Sequence, residues 1–84
     1  MQKVVIYSKQ VCPYCTLAKN LLKQKGVTQF EEIRIDTNEQ LKQDMVAKTN
    51  RTTVPQIFIG TTHVGGFDDL TKLNQSGKLD QLLQ

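Results

Sequence analysis

"KQVCPYCTLAK", Lys9 to Lys19, holds both cysteines of an 84-residue chain, two residues apart, with Pro13 and Tyr14 between them. Just before it runs "KVVIY", Lys3 to Tyr7, a β-branched stretch suited to a buried strand. Just after Cys12 the pattern turns helical. Pro13 fits the first helical position, and Cys15, Ala18 and Leu22, with Leu17 and Leu21 beside them, form an apolar side that Gly26 stops. The opening unit is thus a strand that feeds a helix through a cysteine-bearing loop.

The rest of the chain extends this unit. "FEEIRID", Phe30 to Asp36, alternates well enough for a second strand, and Thr37-Asn38 offers an N-cap for a helix with Leu41 and Met45 four apart. "QIFIG" and "THVGG" are short strands joined near Gly60-Thr61, close enough for a hairpin. After Gly65-Gly66 the Asp68-Asp69 pair is expected to cap a helix carrying Leu70 and Leu73, and a last helical piece holds Leu79, Leu82 and Leu83. The class is α/β: a βαβ unit, then a β-hairpin and C-terminal helices, giving a four-stranded mixed sheet flanked by helices with its first two strands parallel. Without linker or repeat, residues 1–84 are expected to form a single domain.

Composition narrows the function. Hydrophobic content of 38% and charged content of 23% suit a globular protein, and Pro and Gly are too few for a disordered chain. "MQKVVIYSK" charges too quickly for a signal peptide, and no apolar run approaches the ~18 residues of a membrane span, so a cytoplasmic protein without membrane contact is expected. The net charge of +3 is read as the wet face of a helix bearing Lys19, Lys23 and Lys25. No aromatic RNA-binding pattern or basic run supports nucleic acid as a partner.

The cysteine pair admits three readings. As a staple it would close so small a loop that it removes roughly 2 kcal/mol of unfolded-chain entropy at most, in a compartment that keeps thiols reduced. As a zinc site it falls short of four ligands within one chain, since only His63 and carboxylates remain, and no metal is expected. As a reactive pair it has a mechanism: residues i and i+3 of a first helical turn share a face, within disulfide reach. Cys12, at the helix N-terminus near the amides of Tyr14 and Cys15, is favoured as thiolate; Cys15 lies inside the turn. Lys9 adds a positive charge three residues before Cys12.

With "CPYC" at Cys12 to Cys15, "TVP" at Thr53 to Pro55 and "GGFDDL" at Gly65 to Leu70, in order along nearly the whole chain, the sequence resembles the dithiol glutaredoxins, and most of all their small bacterial type. The resemblance implies a thioredoxin fold and a glutathione-dependent thiol-disulfide oxidoreductase, with Cys12 as nucleophile and Cys15 as resolving thiol. Glutathione is the implied reductant. Disulfide-containing or glutathionylated proteins are the implied clients, ribonucleotide reductase being one of the family's own, and a monomer is expected.

The other motifs gain roles by the same resemblance. From sequence alone Pro55 is expected to be trans, since only about 5–6% of such bonds are cis; the family implies a cis proline here. Thr53, Val54 and Pro55 would then offer a strand edge to the cysteinyl part of glutathione. Gly66, Phe67 and Asp68 are the implied site for its γ-glutamyl end, at a helix N-terminus suited to a carboxylate, with Asp68, ahead of its neighbour Asp69, as the implied partner of the ammonium. Lys9 is the implied partner of the glycyl carboxylate, and Tyr14 borders the groove. Two other functions remain open: a 2Fe-2S cluster held between two subunits by Cys12 and bound glutathiones, and a thioredoxin-like module without catalysis.

Overall fold

Strand β1, Val4–Ser8, sends its residues alternately to the two faces of a sheet, and both faces are covered by helices. The computed structural model describes residues 1–84. Beyond β1 come α1 (Pro13–Gln24), β2 (Glu31–Arg34), α2 (Glu39–Thr49), β3 (Gln56–Ile59), β4 (Thr62–Gly65), α3 (Phe67–Gln75) and α4 (Lys78–Leu83). The sheet order is β2-β1-β3-β4, with β1 parallel to β2 and antiparallel to β3, and β3 antiparallel to β4. This is the mixed four-stranded sheet expected from the sequence.

The two-residue period divides the core. Val4 and Ile6 of β1 and Ile57 and Ile59 of β3 point to the side where Ala18 and Leu22 of α1, Leu70 of α3 and Leu79 and Leu83 of α4 close over them. Tyr7 points the other way, into a smaller cluster with Ile35 and Met45, the latter from α2. Each fully buried aliphatic side chain contributes about 1.5–3 kcal/mol, and the larger cluster holds α1 against the central strands. It therefore fixes the height at which α1 presents its first turn.

Local signals account for most boundaries. Asn38 caps α2 by accepting from the Gln40 amide at 2.7 Å. Gly60, at φ 59°, makes the β3–β4 turn, a backbone that glycine adopts without strain. Two expectations need correction. β2 is shorter than "FEEIRID": Phe30 packs against the larger cluster outside the ladder, and Ile35 keeps only an amide bond to the Ser8 carbonyl, at 2.9 Å, before the chain turns. The cap of α3 is Gly66, and Asp68 and Asp69 stand inside the first turn. No helix is long and apolar enough to cross a membrane.

Candidate active site

The loop from β1 to α1 brings Cys12 to the N-cap of α1, with Pro13 at the first helical position. Its sulfur accepts the amide hydrogen of Cys15 at 3.1 Å, standing where serine or aspartate oxygen usually caps a helix. Cys12 and Cys15 are joined in a disulfide, with Cα atoms 5.2 Å apart. Cys15 is only 2% exposed, whereas Cys12 is half-buried and reachable. The asymmetry read from the sequence is therefore present as a difference in access. An amide aimed at the Cys12 sulfur also stabilises negative charge there once the pair is reduced.

Two large hydrophobic side chains stand exposed within two residues of Cys12. Val11, 79% exposed, and Tyr14, 60% exposed, flank it, and Tyr14 lies beside Phe67 with ring centroids 6.1 Å apart. Above it runs the loop between α2 and β3, whose Val54–Pro55 bond is cis as the family resemblance implied and against the general expectation for proline. The Val54 carbonyl oxygen lies 3.9 Å from the Cys12 sulfur. Thr53 and Val54 form a ridge between two grooves. One is lined by Tyr14, Pro55, Gly66, Phe67 and Asp68, the other by Lys9 and Lys42 together with Asn38, Glu39 and Asp36, the last already engaged by Arg34. Lys9 and the α3 N-terminus thus lie at opposite ends of a path that passes Val54.

The two ends are built differently. At the α3 end the Asp69 carboxylate accepts from the Gly66 amide at 3.0 Å and from Arg51 Nη1 at 3.0 Å. The amides of Phe67 and Asp68 have no intrahelical partner by position, and the Asp68 side chain is exposed. At the other end Asp36 accepts the Gln10 amide at 3.0 Å while Arg34 grips the same carboxylate with two nitrogens at 2.7 and 2.8 Å. This fastens the Lys9–Val11 loop to the end of β2.

Arg51, Arg34 and Asp36 have no signal in the sequence that would place them here, since their partners come through the tertiary fold or a turn. The cap by Asp69 does have one, an acidic residue three positions after the N-cap.

The ion partners shift both carboxylates. Arg51, helped by the Gly66 amide, holds Asp69 below the usual aspartate range, and Arg34, helped by the Gln10 amide, holds Asp36 well below it. A carboxylate with a depressed folded pKa stabilises the fold fully above its unfolded value and loses that contribution as pH falls through the folded one. Both anchors are therefore expected to survive acidification past the ordinary aspartate midpoint of about 3.9. Carboxyl NMR titration checks this; a midpoint at or above the ordinary value for either residue would contradict it.

The sequence profile of the glutaredoxin family matches residues 4–64, which include the cysteine pair and the cis-proline loop. The chain is 54% identical over 83 residues to a glutaredoxin of Pseudomonas aeruginosa, covering 99% of this chain and 98% of that one. It is 51% identical over 84 residues to glutaredoxin 3 of Escherichia coli K12, covering all of both. The chain belongs to the glutaredoxin family. Solved glutaredoxins share its fold. The solution structure from Brucella melitensis matches with a TM-score of 0.86 at 49% identity, over 99% of this chain and 89% of that one. A buckwheat glutaredoxin in complex with glutathione matches with a TM-score of 0.88 at 32% identity, over 98% of this chain and 76% of that one. The thioredoxin fold and thiol-disulfide oxidoreductase chemistry follow for this glutaredoxin, with Cys12 and Cys15 as its redox-active pair.

Proposed function

We propose that this glutaredoxin reduces glutathione mixed disulfides and protein disulfides, with glutathione as its source of electrons. The observation that carries the reading is the path across Val54, with the lysine at one end, the open amides of α3 at the other and the Cys12 sulfur beneath its middle. A tripeptide with a carboxylate at each end and a central sulfur is the complementary shape. Lys9 takes the glycyl carboxylate. The Val54 backbone pairs with the cysteinyl residue beside Thr53 and Pro55. The amides of Phe67 and Asp68, entered through Gly66, take the γ-glutamyl carboxylate. Asp69 is already engaged by Arg51 and Gly66, so the ammonium falls to the exposed Asp68 carboxylate. Tyr14 walls the groove. The buckwheat complex with glutathione, on the same fold, supports this reading.

The chemistry balances along two routes. In the first, Cys12 thiolate attacks the glutathionyl sulfur of a mixed disulfide, and the client leaves as a thiolate. A second glutathione thiolate then attacks that sulfur of the Cys12 mixed disulfide, releasing glutathione disulfide and returning Cys12 as thiolate. In the second, Cys12 attacks a protein disulfide and remains bound to the client until Cys15, deprotonated, attacks the Cys12 sulfur. The client departs as a dithiol, leaving the internal disulfide, which two glutathiones reduce. Holding the substrate sulfur over Cys12 is the contribution of the groove to both.

Turnover of a glutathionylated peptide with glutathione as reductant tests the reading, and no turnover by the reduced protein would refute it. Lys9→Gln is expected to raise KM for that peptide about threefold, the effect of one exposed charge-assisted contact. Added salt should weaken wild type toward the variant; identical KM values for the two at low salt would remove Lys9 from the site.

A further inference from the structure

The backbone that faces the Cys12 sulfur from outside its own helix, at the Val54 carbonyl 3.9 Å away, belongs to a segment with little support of its own. Among the backbone hydrogen bonds of turns and loops, none involves residues 51 to 55. Such a stretch is held by side chains: the Thr49 hydroxyl accepts from the Arg51 amide at 3.0 Å and lies 3.2 Å from the Arg51 carbonyl, and nearer to Val54 the support is Gln56, which is 0% exposed. Gln56 Nε2 donates to the Thr53 carbonyl at 3.0 Å, with Thr53 Oγ1 at 3.4 Å. Gln56 Oε1 lies 2.8 Å from His63 Nε2 on β4.

These partners permit one arrangement of protons. A carbonyl oxygen only accepts, so Thr53 requires the amide nitrogen of Gln56; the remaining carboxamide oxygen only accepts, so His63 donates from Nε2. A reversed carboxamide would set oxygen against oxygen at Thr53. The imidazole is itself held by Phe58, its cross-strand partner, with ring centroids 5.0 Å apart. A buried carboxamide is costly unless both ends are paired, and an aliphatic residue would fill the space without that cost. Here both ends are used, and one of them reaches the loop over Cys12.

We propose that Gln56 and His63 are positioning residues, a relay that holds the Thr53–Val54 backbone, through β4, at the height where a glutathionyl substrate is captured over Cys12. The proposal rests on the glutathione reading above. Neither side chain touches the reacting sulfurs. The relay acts on capture of the substrate and leaves the intrinsic reactivity of Cys12 alone.

The test separates these. Gln56→Met keeps the bulk and removes both hydrogen bonds, and is expected to raise KM for a glutathionylated peptide about 10-fold with kcat within about twofold. Alkylation of reduced Cys12 by iodoacetamide, which does not use the loop, should stay within about twofold, while the 15N order parameter of the Val54 amide falls from the rigid range of ~0.85 toward ~0.6. His63→Phe keeps the ring against Phe58 but loses the donor and should raise KM about threefold; His63→Gln, which restores an N–H donor, should return it to within about twofold of wild type. A folded Gln56→Met protein with unchanged KM and an unchanged Val54 order parameter would overturn the relay. So would equal KM values for His63→Phe and His63→Gln, a comparison that stands if Gln56→Met fails to fold. Absence of wild-type turnover would instead refute the glutathione reading, and the Val54 order parameter would still decide whether the loop is held in this way.

Discussion

Cys12→Ser is expected to lower turnover of every disulfide substrate by more than ~10³-fold, because a serine hydroxyl at neutral pH is not a nucleophile toward sulfur. Cys15→Ser should behave differently. Cys12 remains accessible, and glutathione can resolve its mixed disulfide, so turnover of a glutathionylated peptide should stay within about threefold of wild type. Reduction of a protein disulfide that needs both thiols should nearly cease. The contrast follows from the access difference between a half-buried N-cap sulfur and one that is 2% exposed. Mass spectrometry of trapped intermediates checks it: the Cys15→Ser protein should accumulate a single glutathione adduct on Cys12. Equal loss of both activities in the two variants would sink the asymmetric mechanism.

The second large effect is expected at Gly65. Its φ of 112° suits glycine, and a Cβ there would strike the Asp69 carboxylate and crowd the Arg51 guanidinium. Backbone strain of about 1–2 kcal/mol and loss of a helix cap of about 1 kcal/mol together give roughly 2–3 kcal/mol for Gly65→Ala. In a domain of this size that lowers Tm by about 10–20 °C. Because Asp69 caps the helix whose open amides form one end of the groove, KM for a glutathionyl substrate should rise as well. Gly66→Ala is the control: φ is −90°, and the nearest atom to an added Cβ is the Pro55 carbonyl oxygen at an ordinary 3.5 Å. A Tm for Gly65→Ala within a few degrees of Gly66→Ala would show that the cap tolerates displacement.

Much of this was legible in the chain because local signals agree with the tertiary result. The β-branched "KVVIY", the proline after Cys12, the Asn38 cap and the glycine at the hairpin each dictate their own backbone, and their order implies the crossover and the mixed sheet. β2 ends before "FEEIRID" does because the alternation continues past the point where β1 offers partners: β1 stops at Ser8, opposite Arg34. Asp68 and Asp69 looked like equivalent caps until Arg51, distant in sequence, distinguished them by engaging Asp69. Gln56 reads as an ordinary strand residue. Its burial and its two partners come from the hairpin that folds His63 back against it, which no spacing of residues announces.

The concealment of Cys15 also governs how the oxidised protein is recharged. An incoming thiol cannot reach the inner sulfur of the internal disulfide, so it must strike Cys12, and glutathione would there form the same adduct that the proposed cycle forms on taking glutathione from a client. Loading and regeneration therefore share one atom as their only port. A cell rich in glutathione disulfide would push through that port backwards, and the same protein would then attach glutathione to exposed protein thiols.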